Sequence, residues 1–579
     1  MTQTSGEGTT RTGPAYPASA SLSAAHAADE STGLVETLTT LKRRIAALEF
    51  TLPAPGVDAA RDAQRDMIDQ IESYLLPRLR RGEKPLLVCV AGSTGAGKST
   101  LVNSLVGAQV SNTGVRRPTT NSPVLACHPD DMVWFAEDRF LPNLPRVRQQ
   151  GLAMPGRENM LVLAGLDLMP KGLALLDTPD IDSVVKQHHE FARQFLDAAD
   201  VWLFVTTAAR YADAAVWDWL RRGRARDAFL AVALSRVPPY GRDDLARHFG
   251  EMLATNGLGE VERFFIPETQ VEGGALPSNV SAPIREWIDV LTHDEDRRTA
   301  VVARTLSGTL GSLRTRVPEL AREVDAQIDI AADLRQEAER AYDKAVEEIG
   351  AAAANGSLVK GEVLARWQDF AGSGDLFRAI SSRRGRGHRK ERGRSPARLR
   401  TLSDSVQAGL ESLIVVGARS AASDAVARWS ASPAGERILE GHAARLSVPS
   451  PELPRRASRL VTAWQGHVRH LVGTRGVAKR SVARLVSFDD EALTVAFIVG
   501  LLGGADTPTG PLRLVRNLFG AAQMREVGRA ARTDLTERVS RLFDEEGLRF
   551  SQVIDAAGVP GSNVSVGLYE AAYNLEGAR

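Results

Sequence analysis

Cysteine is nearly missing from this sequence: two residues in 579, Cys89 inside an apolar run and Cys127 well beyond it. That scarcity excludes a disulfide framework and a thiolate metal site, and it points to a reducing, cytoplasmic compartment. Long apolar runs are missing as well. The longest uncharged one, Ala492 to Ala505, falls short of the roughly 20 residues that a spanning helix needs, so no ordinary transmembrane helix is expected. Neither charge is in excess, with 72 Lys and Arg against 71 Asp and Glu, so bulk electrostatics selects no partner. The first residues lack the basic start and apolar stretch of a secretory signal. Their Ser, Thr, Ala and Gly content gives residues 1–33 as a disordered tail.

What is present divides the chain. Its length calls for two to four domains. In residues 34–84 apolar positions recur at three and four (Leu38, Leu41, Ile45, Leu48, then Met67, Ile71, Leu75), with Pro53, Pro55 and Gly56 between. This predicts two helices, assigned to pack with a helical stalk. Residues 85–296 hold short apolar runs at Leu86–Val90, Leu173–Leu176, Val201–Val205, Phe229–Leu234 and Phe264–Ile266. Helical patterns at Thr100–Val106 and Ala214–Arg222 separate several of them, which predicts a buried, mostly parallel sheet flanked by helices. From 297 to 579 the pattern is helical, with Leu306, Leu310, Leu313, Val317, Leu320 and Val324 stepping by four and three. That seam belongs in a bundle or coiled coil, and Pro318 within it should kink the helix or start a new one. Nine Lys or Arg face one Glu in residues 383–400, read as a mobile basic loop. The expected fold is an α/β P-loop NTPase domain joined to a long all-α helical bundle or stalk.

The chemistry lies at Gly92, Ser93, Thr94, Gly95, Ala96, Gly97, Lys98 and Ser99, which satisfy G-x-x-x-x-G-K-[ST] between a strand pattern and a helix pattern. A glycine-rich turn aims successive backbone N–H groups at phosphate oxygens, and the following helix adds its positive end. Lys98 is expected to reach the β- and γ-phosphates. Ser99 is expected to ligate Mg²⁺, and Thr100 stands beside it in the nucleotide-binding set. Asp177, closing the run Gly172-Leu-Ala-Leu-Leu-Asp177, is placed to hold water on the metal. Thr119 and Thr120 in Arg116-Arg-Pro-Thr-Thr lie where a switch threonine belongs, and turn formation is their plain alternative. The adjacent His188 and His189 lack the spacing of a metal site and read as helix-surface residues.

The stretches Gly92–Leu105, Arg116–Thr120 and Leu175-Leu-Asp-Thr-Pro179 together resemble the translation-factor-like GTPase class and, within it, bacterial dynamin-like proteins. The resemblance covers residues 85–270. It implies a catalytic set of Lys98, Thr120, Asp177 and Asp180, with Mg²⁺ held by Ser99, Thr120 and Asp177. It also implies a homodimer through the nucleotide domain, and nucleotide-driven movement of the stalk. Three departures stand out. Asp180 takes the place of the glycine in D-x-x-G. Leu234-Ser-Arg-Val-Pro238 replaces the guanine-reading motif, with Ser235 and Arg236 at its base-binding positions and only Asp243 or Asp244 nearby to substitute for its carboxylate. Thr94-Gly95 replaces the polar pair that dynamins use, leaving Arg210 as a substitute charge or an ordinary surface residue. GTP and ATP both remain open as the ligand, as do an ATPase and a nucleotide-binding scaffold with little hydrolysis.

Two further features concern partners. The apolar run at 492–502 is either a buried helix or, within 492–510, a membrane-contact tip closed by Gly503, Gly504 and Pro508. Arg469, Arg475, Lys479, Arg480 and Arg484 precede it and suit an anionic membrane surface, which would put the chain peripherally at the inner face of the cell membrane. Nucleic acid ranks lower, because no stacking aromatic accompanies the basic loop.

Overall fold

Runs of Val, Leu, Ala and Phe too long to alternate require strands buried on both faces, and such strands need helices on either side. The structure, a computed structural model, describes residues 19–80, 84–112, 122–136, 140–141, 144–149, 160–181, 186–372, 395–475, 490–503 and 520–578. Its elements begin with α1 (Ser19–Ala46), α2 (Val57–Gln70), a π turn (Ile71–Leu75) and α3 (Leu76–Leu79). Next come β1 (Leu86–Gly92), α4 (Lys98–Val106), β2 (Val124–Cys127), α5 (Met132–Ala136), β3 (Arg146–Gln149), β4 (Leu161–Gly165) and β5 (Leu173–Asp177). Then follow α6 (Lys186–Asp197), β6 (Val201–Thr207), α7 (Ala214–Ala225), β7 (Phe229–Val237), α8 (Arg242–Thr255), β8 (Glu262–Pro267) and α9 (Ser278–His293). The remainder is helical: α10 (Glu295–Ala354), α11 (Glu362–Gly372), α12 (Ser395–Trp429), α13 (Pro433–Leu439), α14 (Ala443–Leu446), α15 (Leu453–Arg475), α16 (Asp490–Leu502), α17 (Ala521–Ala556) and α18 (Ser562–Gly577).

The eight strands form one sheet in the order β3-β4-β2-β5-β1-β6-β7-β8. Every pairing is parallel except β2 with β5, which is antiparallel with Val124 opposite Asp177. β1 and β6 are buried along their whole length. One face packs Cys89, Trp202 and Phe204 with Phe195 of α6 and Leu220 of α7; the other packs Val88, Val90 and Leu175 with Leu101 of α4 and Ile288 of α9. The expected α/β class is therefore present. The five anticipated runs are β1, β5, β6, β7 and β8, while β2, β3 and β4 are additional.

The chain divides into two compact units. The first comprises residues up to Leu48, Gly56–Val324 and the segment from Ser562 onward; the second comprises Glu49–Pro55 and Asp325–Gly561. This differs from a boundary at residue 296. The helices in 34–84 do pack on helices from the 297–579 region, but on ones that share a unit with the sheet. Arg44 of α1 bonds the Gly567 carbonyl of α18, Arg316 of α10 donates to Gln70 of α2 at 2.8 Å, and Thr305 of α10 donates to the Asp200 carbonyl at 3.0 Å. In the second unit, Gln327 bonds both the N–H and the carbonyl of Leu52, each at 2.9 Å, which pins the 49–55 strip to α10.

Three expectations change, and one alternative is decided. Residues 19–33 are helical rather than a tail, in keeping with their alanine content, while residues 1–18 lie outside the described set. Helix α10 continues through Pro318 as one element, with Leu313, Val317, Leu320 and Val324 all buried around the lost hydrogen bond. Residues 395–400 begin α12, and 383–394 lie outside the described residues. Finally, Ala492–Val499, Leu501 and Leu502 of α16 are buried against α12, α15 and α17, which is the buried-helix alternative for that run. Residues 504–510 lie outside the described set, and no described helix is long and apolar enough to cross a membrane.

Asp200, at the entry to β6, is fully buried and ties the amino-terminal helices to the sheet. Its carboxylate pairs with Arg78 of α3, accepts from the Leu87 N–H at 2.8 Å and from the Tyr74 hydroxyl at 3.2 Å. Removing one partner of such a pair leaves a buried charge unmatched. Arg78→Met should therefore lower unfolding free energy by about 3 kcal/mol, read as a reduced urea midpoint at unchanged slope.

Candidate functional site

The glycine-rich turn follows β1 and curls back over β6 because Gly92 has no side chain. Its φ is 150°, and a Cβ there would sit 1.8 Å from the Val205 carbonyl oxygen. Ser93 is anchored by its N–H to that same carbonyl at 3.1 Å, and its hydroxyl meets the Thr206 hydroxyl at 3.3 Å. Gly97, at φ 86°, is the N-cap of α4 and turns the chain so that the helix begins at Lys98. The helix therefore presents unpaired N–H groups and the positive end of its dipole toward the turn.

Lys98 is buried, with only 5% of its surface exposed. Its ammonium donates to the Gly92 carbonyl at 2.9 Å, to the Ser93 carbonyl at 3.1 Å and to Asp180 Oδ1 at 2.5 Å. Three acceptors for three protons make this charge fully satisfied. The loop carrying Asp180 is fixed from both sides. Thr178 donates both its N–H (3.3 Å) and its hydroxyl (3.0 Å) to the Val90 carbonyl, and Ile181 N–H reaches the Gly92 carbonyl at 3.4 Å.

Asp177 ends β5 beside this turn and is wholly buried. Burial pushes its carboxyl above the usual range. The nearby Ser99 and Ser111 hydroxyls and Lys98 oppose that shift, and Asp180 adds to it. Neither Asp177 oxygen has a hydrogen-bond partner of normal geometry. A buried carboxylate flanked by the Ser99 and Ser111 hydroxyls is a set of oxygens that a hydrated divalent cation completes, so the residues fit Mg²⁺.

The remaining expected residues are distributed as follows. Thr94, Gly95, Ala96 and Thr100 lie in the turn and the first turn of α4. Ser235 is buried and its one hydroxyl proton lies between the Ala96 carbonyl at 2.8 Å and the Thr206 carbonyl at 3.1 Å, the shorter contact bracing the turn from β7. Arg236 is exposed and left-handed at φ 54°, next to a bulge in the β7–β8 pairing. Asp243 and Asp244 are exposed in the first turn of α8. Arg210 pairs with Asp213 at 2.9 Å. Thr119 and Thr120 lie outside the described residues, and nothing is assigned to the side chains of His188 and His189. No group of His, Cys, Asp and Glu suited to a metal occurs among the described residues.

Sequence reasoning passed over Asn103. From mid-helix it accepts the N–H groups of Val110 and Ser111 at 3.0 and 2.9 Å and donates to the Ser111 carbonyl at 2.9 Å, clamping the chain that leads toward Arg116–Thr120. The available signal was an asparagine, a weak helix former, in the middle of a helix.

Residues 87–233 match the family model MMR_HSR1, the 50S ribosome-binding GTPases. This stretch is a P-loop GTPase domain. Helices precede this domain and a long helical region follows it, which is the order of elements that the motif resemblance to dynamin-like proteins implied. Among curated proteins, the Arabidopsis thaliana protein named "Probable transmembrane GTPase FZO-like, chloroplastic" is 28% identical over 138 residues, 24% of this chain. The match spans only 14% of that relative's length. Among solved structures, an oligomerised bacterial dynamin pair is 12% identical with a TM-score of 0.28, over 74% of this chain and 79% of that one. The LeoA bacterial dynamin GTPase from ETEC is 13% identical with a TM-score of 0.23, over 95% and 97%.

The Gly92 contact gives a sharp expectation. Gly92→Ala forces a methyl group into the β6 backbone and should destabilise the first unit by at least about 2 kcal/mol, measured by thermal melting, with nucleotide binding lost in parallel.

Proposed function

We propose that this chain binds and hydrolyses GTP with Mg²⁺ and couples its nucleotide state to movement of its helices. The observation that carries the reading is the satisfied, buried ammonium of Lys98 at the start of α4, framed by the glycine-rich turn and close enough to Asp177 to act on its charge. The turn's N–H groups and Lys98 would hold the phosphates, and Ser99, Asp177 and Thr120 would hold the cation with its water. When bound, magnesium would draw negative charge off the phosphates. The chain's own part is to fix the phosphates, exclude bulk water from the base of the site and stabilise charge on the transferred group. The family match of residues 87–233 supports GTP; the Ser235-Arg236 segment supplies no base-reading carboxylate.

Coupling is supported by a cluster of ion pairs on α6, the helix that follows the Asp177–Ile181 loop. Arg193 of α6 pairs with Asp66 and, at 3.2 Å, with Asp69, both on α2. Arg222 of α7 reaches Asp66 at 2.8 Å and Asp197 of α6 at 3.1 Å, and buried Arg226 also pairs with Asp197. A shift of α6 would pull on α2 through these charges. A homodimer through the nucleotide domain and an anionic membrane surface are the partners that this reading carries, and the inner face of the cell membrane its location.

Calorimetric titration with GTP and with ATP, each with Mg²⁺, tests the proposal. GTP binding is expected, weakened at least about 100-fold in Lys98→Ala; selective ATP binding overturns the GTPase reading. In Asp177→Asn the magnesium concentration that half-saturates GTP hydrolysis should rise about 10- to 100-fold.

A further inference from the structure

Asp180 stands where the related motif has a glycine, and its carboxylate occupies the third acceptor position on Lys98. The other two acceptors, the Gly92 and Ser93 carbonyls, are main-chain atoms of the turn itself and cannot leave without unfolding it. The Asp180 side chain is 32% exposed and can rotate outward. Its backbone cannot retreat, because Thr178 and Ile181 on either side are bonded to β1. A phosphate oxygen that approaches Lys98 must therefore take the place of this carboxylate, and the displaced carboxylate stays within reach of the same phosphates.

We infer that Asp180 is a specificity-determining residue that sets the preference of this site between nucleoside triphosphate and diphosphate. Resting on the nucleotide-binding reading above, the argument turns on where the extra charge arrives. The turn's N–H groups and Lys98 serve the β-phosphate that both nucleotides carry, whereas a triphosphate brings a further phosphate, with its added charge, to Lys98 and so beside Asp180. Like charges brought to the same ammonium repel, and with only 32% of its side chain exposed Asp180 is screened from that repulsion only in part. Asp180 thus penalises the triphosphate more than the diphosphate. The chain gives up triphosphate affinity for a Lys98 that is never without a counter-charge.

The test uses the full chain. Dissociation constants for GDP and for a non-hydrolysable GTP analogue, with Mg²⁺, are compared between wild type, Asp180→Asn and Asp180→Glu. Asp180→Asn keeps the shape and a hydrogen-bonding oxygen without the charge, so the analogue should bind about tenfold tighter while GDP changes by less than about threefold. Asp180→Glu keeps the charge and should keep the wild-type ratio. An unchanged ratio in Asp180→Asn overturns the inference while leaving nucleotide binding intact. A wild-type chain that binds neither nucleotide in a Lys98-dependent way fails the functional reading and takes this inference with it. Matched melting temperatures of the variants exclude misfolding as the source of a shift.

Discussion

A buried ammonium has to be matched at all times, and the arrangement around Lys98 follows from that need. Desolvating a lysine without acceptors is far costlier than any single contact in this region returns. Two of its acceptors are carbonyls of the turn, so the same bonds that satisfy the charge also hold the turn in its curled shape. The curl requires Gly92 to lie against Val205, and β6 in turn is held at its entry by buried Asp200. From one charge the constraint reaches across β1 and β6 to the amino-terminal helices.

Much of this was readable beforehand because its causes are local. The central strands are continuous apolar runs, the turn is defined by spacing, and Asp177 closes a run that has no other reason to end in a carboxylate. The strands β2, β3 and β4, on the β3 side of the sheet, were passed over because each is only four or five residues long, and β3 reads Arg-Val-Arg-Gln. Ser235 and Asn103 show a second limit. Their partners are backbone atoms distant in sequence or in an adjoining loop, and only the fold brings those atoms to them.

The helical regions show the balance between local preference and packing. Pro318 alone argues for a break, yet the apolar seam around it is buried and α10 persists. The run at 492–502 is apolar all round, and periodicity cannot say whether lipid or protein surrounds such a helix. Its neighbours decide: Trp464 of α15 donates to the Ala531 carbonyl of α17 at 2.8 Å, and α16 is buried with them in one apolar core. The grouping of α1, α2 and α18 with the sheet was hidden for a different reason, since it depends on contacts between segments separated by hundreds of residues.

The cluster joining α6 to α2 has a consequence for ionic strength. Arg193, Asp66 and Asp69 keep only 14–20% of their side-chain surface in solvent, whereas pairs such as Arg61 with Asp58 and Arg247 with Asp244 are open to it. Added salt screens the open pairs and scarcely touches the enclosed ones. The surface of the first unit therefore loosens electrostatically in concentrated salt while the tie between the loop-bearing helix and α2 persists, and that mechanical link is insulated from the ionic conditions around it.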